Sequence, residues 1–134
     1  MKTPLAILVV VLASATALDA TAAQKWGPTW SEVTGALYSR AKMNLEGAVI
    51  SKIDGKSPNT GRAIKVEPGK REIVVRSPMR KGFAGSDETI QLELKPCYRY
   101  YINAQFRSGA GTDWEPIVTS QERIAGCKMP PASG

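Results

Sequence analysis

Few residues in this chain have types and spacing suited to chemistry. Its 134 residues include no His, which removes Ser–His and Cys–His nucleophile pairs, imidazole general bases and His-ligated zinc. Ser39-Arg40-Ala41-Lys42 has the S-x-x-K spacing with which serine acyltransferases set Lys one helical turn from a nucleophilic Ser. That chemistry needs K-T-G and S-D-N partners and a much longer chain, so chance spacing accounts for the string. Carboxylates occur together at Asp87-Glu88 and at Asp113 and Glu115. Glycoside hydrolysis needs two carboxyls facing each other across roughly 5–10 Å. Neighbours on a strand point to opposite faces, so Asp87-Glu88 cannot supply both, and solvated loop acids are the better reading. No His/Cys ligand set, acid-dense calcium loop or Gly-rich phosphate loop stands out. The expectation is a non-enzyme with no metal and no cofactor.

Charge placement is more informative than any motif. The chain carries 18 Lys and Arg against 12 Asp and Glu, a formal charge of +6. Residues 52–81 hold Lys52, Lys56, Arg62, Lys65, Lys70, Arg71, Arg76, Arg80 and Lys81 against Asp54, Glu67 and Glu72, so this segment accounts for the whole net charge. If its strands are neighbours, those bases gather into a positive field for an anionic lipid headgroup, an acidic glycan or another envelope protein. The bland alternative is a set of edge charges that keep strands from pairing. Nothing in the pattern points to nucleic acid. Tyr101 beside Arg99 is a surface pair able to stack on a glycan or peptide, although one such pair is a weak signal.

The elements that must position these residues begin after a targeting segment. Met1-Lys2 is a short basic start, an apolar run follows from Pro4, and Ala20-Thr21-Ala22 and Thr21-Ala22-Ala23 offer small-x-small cleavage sites. Residues 1–23 therefore read as a secretory signal peptide. The apolar run is shorter than the ~20 residues that span a bilayer, so no membrane anchor is expected after cleavage. Residues 24–128 would form one domain and 129–134 a frayed, Pro-containing tail. Export to a periplasmic or extracellular space favours pairing of the only two cysteines, Cys97 and Cys127, in a structural disulfide.

Most of the exported part alternates with a period of two. Strands are expected near 31–34, 48–53, 62–66, 70–77, 88–94, 98–106, 114–118 and 122–125, with turns at Asp54-Gly55, Glu67-Pro68-Gly69 and 108–111. The clearest alternations put Ile90, Leu92 and Leu94 on one face, and Tyr98, Tyr100, Ile102, Ala104 and Phe106 on one face. Tyr98, Tyr100, Phe106 and Trp114 are expected in the core. Residues 37–45 are too short between Gly35 and Gly47 for a firm helix, and a loop or one helical turn is expected. About seven short strands with turns between them predict an all-β, antiparallel sandwich. Most are too short for an outer-membrane barrel.

Two stretches carry resemblances to known families. Residues 48–55 (AVISKIDG), followed by Val66-Glu67-Pro68-Gly69-Lys70 and a strand, resemble the PEGA-type module of surface proteins. Leu94-Lys95-Pro96-Cys97-Tyr98-Arg99-Tyr100 is similar to the lead-in of the sixth strand in fibronectin type III domains, where a Tyr hydroxyl caps the upstream backbone as a tyrosine corner. Tyr100 takes that place. Both resemblances imply an immunoglobulin-like sandwich and leave activity open. The sequence thus suggests an exported, non-catalytic envelope module that binds or scaffolds. A small enzyme or enzyme inhibitor acting on cell-wall material is the alternative, to be favoured by a concave pocket with converging carboxylates.

Overall fold

Eight strands and no helix make up the described part of a computed structural model, which covers residues 27–39, 42–58 and 62–130. The expected signal peptide at 1–23 and the last four residues of the expected tail lie outside the described residues. The strands are β1 (Ser31–Thr34), β2 (Leu45–Glu46), β3 (Val49–Ile53), β4 (Ile64–Val66), β5 (Gly69–Arg76), β6 (Asp87–Leu94), β7 (Tyr98–Phe106) and β8 (Trp114–Arg123).

They form two sheets. In one, β5 lies between β3 and β6. In the other, β8 runs along one side of β7, β1 and β2 share its other side, and β4 lies beyond β1. The inward residues of both sheets, among them Val33, Ile50, Val66, Ile73, Val75, Leu94, Tyr100 and Ile102, form one buried cluster. The chain is an all-β sandwich.

Three details differ from the sequence reading. The β1–β7 pair is parallel, Glu32 opposite Arg99 and Val33 opposite Tyr100, and β1 lies between β7 and an antiparallel β4. Alternation along one segment cannot reveal that choice. Leu45–Glu46 is a two-residue strand against Ala104 and Gln105, where a loop or helical turn was expected. The two expected final pieces are one strand, β8, whose alternation is broken by a register shift opposite Tyr101 and Ile102.

One corner of the sandwich is tied several times. Cys97 and Cys127 are disulfide-bonded with Cα atoms 5.4 Å apart. The Cys97 N–H donates to the Trp30 carbonyl at 2.7 Å, and the Lys128 N–H to the Pro28 carbonyl at 2.8 Å. The Tyr100 hydroxyl accepts from the Lys95 N–H at 2.8 Å. The Lys95 carbonyl accepts from Ser31 Oγ at 2.8 Å. Both backbone groups of Lys95 are thereby satisfied.

Candidate functional site

The chain trace divides the basic segment. β3 and β5 are neighbours in one sheet, but β4, with Lys65, belongs to the other. Alternation divides it further: Lys70 and Arg76 lie on the outer face of β5, while Arg71 shares the parity of buried Ile73 and Val75. Four bases are occupied. Lys65 Nζ lies 4.3 Å above the Trp30 ring. Arg71 bridges Asp54 at 3.1 Å and Glu67 at 3.6 Å, clasping the Asp54-Gly55 turn. Arg76 pairs with Asp87 at 3.1 Å in an exposed cross-strand contact. Arg80 is the most enclosed, its side chain 14% exposed and 2.9 Å from Glu46. Lys52, Lys56, Arg62, Lys70 and Lys81 make no ion pair among the described residues. The outer face of the β3–β5–β6 sheet also carries Glu72, Asp87 and Glu93, so positive charge does not accumulate there.

The Tyr101–Arg99 pair serves internal bonding on the outer face of the five-stranded sheet. Arg99 Nε donates to Glu32 Oε2 at 2.7 Å, and the Trp30 indole donates to Glu32 Oε1 at 3.1 Å. The Tyr101 hydroxyl donates to Glu122 at 2.7 Å, and its ring meets Tyr38 edge-on at 5.0 Å. Burial first, and then the bond to Glu122, push the Tyr101 phenol above its ordinary value, with Arg99 opposing. Beside it Asn103 is fully buried and satisfied: its amide donates to the Gly35 and Ala36 carbonyls at 2.8 and 3.0 Å, and its oxygen accepts from Thr119 at 2.6 Å. Ser39 and Lys42 line a shallow groove of about 300 Å³ with Tyr38, Leu45 and Ile117. The described part of the S-x-x-K string is not helical.

A larger cleft of about 570 Å³ opens at the other end of the sandwich, where the β5–β6 connection meets the β7–β8 hairpin. Its construction is local. Arg80 and Phe83 exchange backbone hydrogen bonds at 2.9 and 2.7 Å across Lys81-Gly82, which sets Phe83 on the loop. The neck of that loop is closed by Ser77 and Ser86, with the Ser77 N–H donating to the Ser86 carbonyl at 3.0 Å. Gly85 passes this neck at φ +93, where a Cβ would lie 2.7 Å from the Ser77 carbonyl oxygen. The Trp114 indole then reaches across from β8 and donates to Ser86 Oγ at 2.8 Å, joining the two sheets.

The cleft presents Phe83, Trp114, Glu88, Asp113, Glu115 and Arg107, with Gln105 and Phe106 at its wall. Three acids against one base make it locally negative in a chain whose net charge is +6. The sequence set Glu88 apart from Asp113 and Glu115, and only the packing of β6 against β8 brings them to one rim. A parity signal was present: Glu88 lies on the inward side with Ile90, Leu92 and Leu94, at the open end of the sandwich. Among the described residues no group of three or more acidic or Cys side chains is arranged to hold a metal ion. An aromatic wall with carboxylates can seat a cation by ring and ion-pair contacts together. No family model, curated protein or solved structure matches the chain.

Proposed function

We propose that this is an exported, non-catalytic envelope module that binds a partner protein, and that the cleft beside Trp114 receives a cationic side chain of that partner. The acidic and aromatic lining within a basic chain is the observation that carries this reading. The disulfide is compatible with an oxidising compartment. The basic segment supports attachment to an anionic surface less well, because its bases are divided between two sheets and four of them are occupied.

The test is a nuclear magnetic resonance titration of the protein with N-acetyl-lysine methylamide. Shifts at the Trp114 indole and the Glu88 and Asp113 amides, weakened by salt and by Glu88→Gln with Asp113→Asn, support the reading. Shifts confined to other surfaces, or none, refute it. A second reading, a small enzyme or inhibitor acting on cell-wall material, is favoured by the same three carboxylates. Release of soluble fragments from purified peptidoglycan, abolished by Glu88→Gln, would select it.

A further inference from the structure

Edge strands differ in how far they resist pairing with another chain. Proline, bulges and short length deny a partner's backbone, and charged side chains repel all but an oppositely charged one. β8 carries Pro116 and a register shift, β3 is shifted between Ile50 and Lys52, β4 has three residues and β2 has two. β6 has none of the first three, and its guards are charges alone, Asp87, Glu88 and Glu93. It pairs with β5 in unbroken register over eight residues, from Asp87 opposite Arg76 to Leu94 opposite Gly69. On its free side every second residue turns its N–H and C=O away from β5. No other hydrogen bond engages the backbone of residues 87–94 among the described residues.

The side chains of β6 show the same incompleteness. On β5 the inward Ile73 and Val75 are fully buried, whereas inward Ile90 and Leu92 on β6 remain half-buried. A strand added beyond β6 would cover both. The strand also carries Asp87, Glu88 and Glu93 and no base. It starts at the cleft that Asp113 and Glu115 make more negative.

We propose that β6 is a strand-addition site for an extended, Lys- or Arg-bearing segment of a partner protein, whose backbone continues the three-stranded sheet and one of whose basic side chains enters the Trp114 cleft. This inference rests on the cationic-partner reading above. A second copy of this chain is a poor occupant. Pairing β6 with itself about Ile90, a register that keeps inward residues inward, sets Asp87 of one copy against Glu93 of the other at both ends, and like charges directly opposite are destabilising.

The probe is a synthetic eight-residue peptide alternating Lys with Val or Thr, compared with a version interrupted by central prolines and one with Glu replacing Lys. Amide hydrogen exchange of the whole protein is followed residue by residue. Slowed exchange at alternate residues of 87–94 with the first peptide only is the expected result. Thr89→Lys with Gln91→Lys, both on the exposed face, should weaken that binding at least tenfold while leaving the spectrum of the free protein folded. Equal binding of the proline-interrupted peptide, or shifts at Trp114 without alternating protection, would overturn strand addition and leave the cleft reading standing. Failure of the lysine derivative at the cleft as well would overturn both.

Discussion

The guanidinium carbon of Arg80 lies 3.5 Å from the centroid of the Phe106 ring. The same side chain donates to the Ser108 and Gly111 carbonyls at 2.9 and 2.8 Å and pairs with Glu46. It therefore fixes the β5–β6 connection to the β7–β8 hairpin, the two pieces whose separation sets the width of the cleft. A residue that reads in the sequence as part of a basic patch is a structural bolt.

Arg80→Ala should lose about 2 kcal/mol, the scale of charge-assisted hydrogen bonds left without a partner. Arg76→Ala, which breaks only the exposed pair with Asp87, should stay within about 0.5 kcal/mol of the parent. Urea denaturation of the two variants side by side makes the comparison. Equal losses would show that Arg80 does not bolt the two loops.

Gly35 ends β1 where the chain passes the Ala48 backbone, and a Cβ there would lie 1.7 Å from the Ala48 carbonyl oxygen. Gly35→Ala should cost about 3 kcal/mol, at the upper end of overpacking effects, because the obstacle is backbone and the Gly35 carbonyl also accepts from Asn103. A melting temperature unchanged from the parent would contradict this close approach.

Tyr101 supplies a pH dependence. Its folded-state pKa is raised above the ordinary value of 10.0 by burial and by Glu122, so the folded state favours the protonated phenol. The associated stability is complete below the unfolded pKa and is lost as pH rises through the folded one. Tyr101→Phe should therefore flatten the loss of stability above about pH 10. Denaturation midpoints at pH 8 and pH 11 measure it, and equal alkaline losses in parent and variant would exclude Tyr101 as the source.

Replacing both cysteines, Cys97→Ala with Cys127→Ala, should destabilise the fold by about 3 kcal/mol, given a 30-residue separation. The hydrogen bonds of Cys97 to Trp30 and of Ile124 to Cys97 are made by the backbone and survive the change. The variant should thus remain folded with a lower urea midpoint. An unchanged midpoint would show that the backbone ties alone hold the corner.

Strand positions and the core were legible in the sequence where local alternation governs them. Tyr98–Phe106 has the predicted bounds, with Tyr100, Ile102, Ala104 and Phe106 buried together, because inward and outward residues there differ in polarity. The Cys97–Cys127 pair followed from there being only two cysteines. What local pattern could not supply was partnership. The parallel β1–β7 pair, the exit of β4 to the second sheet and the meeting of Glu88 with Asp113 and Glu115 all depend on which segments pack together. Asn103, on the face opposite that apolar row, is buried only because Thr119 and the carbonyls of Gly35 and Ala36 are present to satisfy it.

The corner that joins Cys97, Cys127, Pro28 and Lys128 also governs how the domain responds to mechanical load. Its two ends leave side by side, held by the Lys128–Pro28 hydrogen bond, so a pull on both would first peel apart this clasp. Tension entering from the C-terminal side passes through the disulfide to Cys97 and bypasses the 30-residue stretch that contains β7 and β8. At about 3.5 Å per extended residue, roughly 100 Å of chain is withheld from stretching while the disulfide is intact. Reduction would add that length to what a pull could extend.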